Sequence, residues 1–164
     1  MKRLLMQMTS GGMHPQALRR SIQESDSPEM GCRRAIVVVS LIGITSMAIV
    51  SLYQMGAARH LPDPPVRRPH FHSDKVNAST EAFGYGMPDG PLTIGAHAAN
   101  IMLAAAGPDD RSRRRPWIPL LASLVSAIQA AVAAKYLFYT MPKVDRAWCP
   151  YCIADALTHS PRSR

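Results

Sequence analysis

Two cysteines stand three residues apart in Trp148-Cys149-Pro150-Tyr151-Cys152, near the end of a 164-residue chain. On the first turn of a helix such a pair faces one side, close enough to close into a disulfide. Pro150 suits the first helical position, where the missing N–H costs nothing and φ is already set. Cys149 then falls at the helix N-cap, where free backbone N–H groups and the positive end of the helix dipole stabilise a thiolate. The chemistry this spacing implies is thiol–disulfide redox. Two other readings fit the same residues: half of a zinc site, or two incidental buried thiols. The zinc reading lacks a second pair, because the only other cysteine, Cys32, is distant in the chain. Cys32 itself, beside Arg33 and Arg34, reads as incidental.

Few other side chains invite chemistry. His97 and Asn100 lie inside an uncharged run, where polar groups either bond to neighbouring helices or line a ligand pocket. His60, His70 and His72 lie among prolines in a polar stretch and read as solvated, so no metal is expected. Asn77-Ala78-Ser79 fits the glycosylation acceptor pattern, which is common by chance.

The elements that must hold the dithiol are apolar helices. Charged residues make up 18% of the chain, and the net charge of +8 comes from arginine clusters that punctuate long uncharged runs. That is a membrane pattern, and with few aromatic residues it argues against a nucleic-acid partner. Residues 35–58 carry no charge until Arg59 and, as a helix, can span roughly 30 Å of hydrocarbon. Residues 90–107 form a shorter, small-residue-rich run. Residues 116–141 form a third, with Trp117 at one interface and Tyr136 and Tyr139 at the other. A fourth helix begins at Cys149 but reaches Pro161 after only about 18 Å, short of a bilayer's width. The expected fold is therefore all-α and integral to a membrane. Three transmembrane helices and a short fourth helix over 149–159 make a small bundle of four-helix type.

Residues 1–31 are expected to be a mobile cytoplasmic tail, residues 32–159 the membrane domain, and 160–164 a second tail. Residues 59–89 form a long loop, with a short helix starting near Ser73 or Asp74. Arg33, Arg34 and the 111–115 cluster fall on one side, which the positive-inside rule makes cytoplasmic. The loop and the dithiol then face the opposite, oxidising side, where disulfides persist.

The order of helices, the outer loop and the dithiol opening the last helix after an aromatic residue resemble the vitamin K epoxide reductase family. The loop segment from Ser73 to Ser79, followed by Phe83-Gly84 and Gly86-Met87-Pro88, is similar to the stretch leading into that family's second helix. Cys-Pro-Tyr-Cys also occurs in glutaredoxins, but there a whole α/β domain follows the dithiol, and here only a dozen residues do. The resemblance implies a helical bundle enclosing a quinone of ubiquinone or menaquinone type. It makes Cys152 the thiol that meets the quinone and Cys149 the one that exchanges with a partner. Ser79 matches a quinone-end serine or threonine, and His97 and Asn100 join it as candidate quinone contacts. The family's loop cysteines are missing, one of their positions being Ser73, so Cys149 has to exchange directly with a separate thioredoxin-like protein. The family's quinone-binding Asn and Tyr fall on Pro91 and Ala156.

The expected function is a membrane thiol–disulfide oxidoreductase passing electrons from a dithiol to a membrane quinone. The bacterial inner membrane is the expected location, with the dithiol periplasmic. The alternative is a catalytically weak or inactive membrane scaffold of the same descent.

Overall fold

The computed structural model describes residues 13–66 and 70–159. Ser27 caps the helix that Pro28 opens, its side chain accepting from the Met30 N–H, so α2 runs Pro28–Gln54 over 27 residues. The cap and the N1 proline move its start well upstream of residue 35. Before it, Pro15–Glu24 forms α1, polar and without buried residues. The expected tail is thus partly helical: Ser21 Oγ donates to Asp109 at 2.7 Å and pins α1 to the far side of the fold. Residues 1–12 of that tail lie outside the described residues.

The loop after α2 carries a short helix, α3 (Ser73–Asn77), and a 3₁₀ turn at Glu81–Phe83. Helix α4 spans Asp89–Ala105, 17 residues. After a one-turn helix α5 (Arg111–Arg114), α6 runs Trp117–Lys135 and continues as a π-helical segment over Tyr136–Asp145. Pro142 lies inside that segment and cannot donate to the α-helical ladder; the wider turns absorb the loss. This carries the helix beyond the expected end at Met141. Arg146, in the left-handed region at φ 52°, then stops it. Helix α7, Pro150–Thr158, is nine residues long.

Buried positions on α2 recur as Arg33, Ser40, Gly43, Met47 and Val50, one stripe facing α4 and α7. A side chain at Gly90 would come within 2.8 Å of both Gln54 Oε1 and Ser51 Oγ, so this glycine sets the approach of α4 to α2. The outward faces are apolar too: Leu120 is 69% and Phe138 71% exposed. Among the described residues two helices, Pro28–Gln54 and Trp117–Asp145, are long and apolar enough to cross a membrane. In the second, only 6% of the most apolar 18-residue stretch is buried, which excludes its being the core helix of a water-soluble protein.

The C-terminus of α4 is capped by arginine. Buried Arg33 donates to the carbonyls of Ala104 (2.7 Å), Gly107 (2.9 Å) and Pro108 (2.9 Å). Buried Arg111 donates to Leu103 and Ala106 and pairs with Glu29 at 3.2 Å. Guanidinium groups here satisfy carbonyls that helix geometry leaves orphaned and sit at the negative end of the helix dipole. Both basic clusters therefore meet at one end of the molecule, opposite the dithiol.

Candidate functional site

Cys149 is the N-cap of α7, in extended conformation, and its sulfur accepts from the Cys152 N–H at 3.2 Å. Both cysteines are free thiols. The dithiol is held from behind by the loop. Trp148 N–H donates to His70 O at 2.9 Å, and His72 N–H donates to Trp148 O at 3.0 Å, a two-bond clasp around the residue before Cys149. That clasp places α3 against the sulfurs. Val76, Met141, Ala147 and Cys149 form one buried cluster, with Trp148, Tyr151 and Cys152 packed on it. Asp63 secures the start of α3, accepting from Ser73 N–H and Ser73 Oγ. Asp74 accepts from Leu61 N–H and lies 2.8 Å from His60 Nδ1.

Asn77 joins the loop to both sulfurs. Its Nδ2 donates to Cys149 Sγ at 3.3 Å and to Ser73 O at 2.8 Å, while its Oδ1 accepts from Cys152 Sγ at 3.5 Å. A residue 2% exposed and bonded in this way cannot serve as a glycosylation acceptor, which removes that reading. For Cys149, burial opposes ionisation and is the largest single influence. Hydrogen bonds from the Cys152 side chain, Asn77, the Cys152 N–H and Ser73 together outweigh it and bring the thiol below its ordinary value. Cys152 is driven well above its own, first by its hydrogen bond to Cys149, then by burial and by the negative charges of Cys149, Asp89 and Asp155. The pair is thus asymmetric: Cys149 gives up its proton more readily than an ordinary thiol, and Cys152 less readily.

Cys152 opens into a cavity of about 320 Å³, lined by apolar groups from α2, α4 and α6 such as Met47, Leu92, Ile128 and Val132. Polar groups in its wall include Asn77, Asp89, Gln129, Tyr136 and, on α7, Asp155 and His159. Of the three candidate quinone contacts, none lines this cavity. Ser79 is half-buried, and its Oγ accepts from Ala82 N–H at 3.4 Å, organising the 3₁₀ turn. His97 and Asn100 line a second cavity on the other side of α7's end. His97 bonds Asp155 at 2.7 Å, and Asn100 donates to Gln129 Oε1 at 2.6 Å. Pro91 is absent from the wall, and Ala156 is in it. Cys32 is exposed at the far, basic end of the molecule.

Sequence reasoning missed Asn77 and Tyr136. Asn77 sits one turn after Ser73 on a helix whose N-terminus was legible, but the contact that gives it a role spans 72 positions. Tyr136, read as an interfacial anchor, reaches inward because the π-helical turn begins at that residue.

The profile of the vitamin K epoxide reductase family matches residues 34–160, which include α2 from Arg34 onward, the loop, α4, α6 and both cysteines of the α7 turn. The chain belongs to the vitamin K epoxide reductase family. It is accordingly a membrane protein of an oxidoreductase family, and the match covers the whole dithiol platform. No curated protein and no solved structure matches the chain. Quinone-related redox chemistry is general to vitamin K epoxide reductases. The Cys152 cavity suits a quinone head group: its volume lies in the range of small-ligand sites, its wall is mostly apolar, and a thiol and several hydrogen-bonding groups converge on it.

Proposed function

We propose that the protein oxidises the dithiol of a separate thioredoxin-like partner through Cys149 and Cys152 and passes the electrons to a membrane quinone. The observation that carries this reading is the asymmetric dithiol: a sulfur at the helix N-cap that accepts from Asn77 and the Cys152 N–H, beside a second sulfur that faces a mostly apolar cavity. Cys149 and Cys152 lose two protons and two electrons and join through an S–S bond. A quinone held in the Cys152 cavity would supply the oxidising capacity, accepting those two electrons and two protons to become the hydroquinone. A partner thiolate then attacks the disulfide at Cys149, and a second partner thiol releases the mixed disulfide, restoring the dithiol. Asn77 holds both sulfurs through these steps. Tyr136 and Gln129, in the cavity wall, are placed to orient a carbonyl-bearing ring.

In this reading three helices, α2, α4 and α6, cross a bacterial inner membrane and α7 enters it from the periplasmic face. The basic ends stay cytoplasmic. Purified protein mixed with a ubiquinone or menaquinone analogue and a reduced thioredoxin-like protein should form hydroquinone, followed by its absorbance. Absence of turnover, or turnover unchanged in Cys152→Ala, overturns the proposal.

One observation favours the non-catalytic scaffold instead. Cys149 is 0% exposed, sealed beneath Trp148 and the α3 segment, so a partner thiol reaches it only when the loop opens. Alkylation by a membrane-impermeant maleimide separates the two. A reaction rate that rises through a midpoint below about 7.5 supports redox work, and inertness, or an ordinary midpoint near 8.5, supports the scaffold.

A further inference from the structure

We propose that His97, Asp155 and His159 form a binding site for a divalent transition-metal ion of the zinc type, distinct from the dithiol. One ring nitrogen of each histidine and one carboxylate oxygen of Asp155 all lie within 4.8 Å of one another. His97 Nε2 is 2.7 Å from Asp155 Oδ1, and His159 Nε2 is 3.9 Å from Asp155 Oδ2. The imidazole rings stack with centroids 4.9 Å apart and planes 13° from parallel. Tetrahedral zinc with bonds of about 2.0–2.2 Å places its ligand atoms roughly 3.3 Å from each other, within the spread seen here.

The site is built, not incidental. Its side chains are 1%, 13% and 8% exposed for His97, Asp155 and His159. Asp155 and His159 are one turn apart on α7, and His97 comes from α4. The third wall is α2: a Cβ at Gly43 would collide with the His97 ring, so the ring's seat exists because residue 43 is glycine. Hydrogen bonding alone leaves the arrangement incomplete. Two imidazoles share one carboxylate through their Nε2 atoms, at 2.7 and 3.9 Å, and the longer contact is beyond hydrogen-bond distance. The rings are stacked, so one must turn out of the stack before a lone pair of each and the carboxylate can meet one cation.

The donor set selects the ion. Two imidazoles and a carboxylate suit zinc and its neighbours, whereas magnesium and calcium favour all-oxygen shells. Three protein ligands would leave a fourth position open; Asp155 and His159 line the Cys152 cavity, and His97 and His159 line the second one. The bound ion would staple the nine-residue α7 to α4 at the end opposite Cys149. The inference stands apart from the quinone reading, because its test needs no turnover.

The test uses the full chain in detergent, stripped with a chelator and titrated with Co²⁺ and then with Zn²⁺ in competition. One Co²⁺ per chain, with the intense visible bands of tetrahedral coordination, displaced by Zn²⁺ and accompanied by a rise in melting temperature, is the expected result. His97→Gln, Asp155→Asn and His159→Gln should each weaken Zn²⁺ binding at least 100-fold. Cys149→Ser/Cys152→Ser and a His60→Ala/His70→Ala/His72→Ala variant should bind as the parent does. His159 sits just past the last helical turn, so His159→Gln remains informative should His97→Gln fail to fold. No binding to the stripped protein, binding that survives His159→Gln, or binding lost in the loop-histidine variant overturns the site; the first leaves a hydrogen-bonded cluster, the others adventitious capture.

Discussion

Removing the Asn77 carboxamide isolates what the loop does for the dithiol. Its Nδ2 donates to Cys149 Sγ, and a hydrogen bond to a charged acceptor contributes about 1.5 kcal/mol. That corresponds to roughly one pKa unit, since 1.36 kcal/mol moves a pKa by one. Asn77→Ala should therefore raise the Cys149 midpoint by about one unit, followed by the ultraviolet absorbance of the thiolate against pH. Asn77→Asp should raise it further, because a carboxylate adds like charge beside the sulfur. An unchanged midpoint in both would show that the N-cap alone sets the thiolate. The N-cap itself was legible in the sequence: Pro150 after Cys149 announces a helix start. Asn77 was not legible, because nothing local in Ser73–Ser79 marks which side chain faces a cysteine 72 residues on. His97 lies between these cases. A polar residue in an uncharged run announces that it has a partner, but the partner proved to be Asp155 on α7, a helix too short to be assigned a face from sequence alone.

At the scale of elements, two contacts decide how the helices and loop are held, and each can be tested. Gly43 admits the His97 ring, and a methyl group there forces a ring 1% exposed to move. Gly43→Ala should destabilise by about 1–3 kcal/mol from overpacking, offset by up to about 1 kcal/mol of improved helix propensity. Gly31→Ala, on the same helix with nothing within 4 Å, keeps the propensity gain alone and should melt at or above the parent temperature. Melting curves in detergent check both. The loop depends on Asp74. Burial opposes ionisation of its carboxyl; the His60 ring, the Leu61 N–H and the charges of His60 and His72 more than offset it and hold the group below the usual carboxylate range. A depressed carboxylate pKa contributes stability above the unfolded value near 3.9, lost as pH falls through the folded value. Hydrogen exchange at the Leu61 amide should accelerate as pH drops below about 4, relative to its intrinsic rate, and Asp74→Ala should give about five- to tenfold faster exchange at neutral pH, the equivalent of roughly 1 kcal/mol. Helix positions were readable from uncharged runs, whereas their ends depended on signals of another kind. Ser27-Pro28 moved one start upstream of residue 35, and Pro142 converted an expected terminus into a π-helical extension to Asp145.

For the whole molecule, the arrangement of charge predicts a sidedness that its own cysteines report. Arg33 and Arg111 meet on the carbonyls at the end of α4, so the two basic clusters share one end. Cys32 is exposed at that end, while the dithiol and Tyr85, 60% exposed, belong to the other. Cytoplasmic retention of arginine-rich loops then puts Cys32 inside and residue 85 outside. In a Cys149→Ser/Cys152→Ser background, Tyr85→Cys should react with an impermeant maleimide in right-side-out vesicles, and Cys32 only after permeabilisation. The reverse pattern would place the dithiol in a reducing compartment, where a disulfide formed from Cys149 and Cys152 would not persist without a continuous oxidant. Reaction of both from outside would mean that α2 does not cross the bilayer. The exposed face of α6 makes that outcome costly: with Leu120, Leu124, Ile128 and Phe138 all more than half exposed, at about 25 cal/mol per Å² of apolar surface these side chains alone would cost several kcal/mol in water. Lipid removes that cost, and only a crossing orientation covers both ends of α6 and of α2 at once.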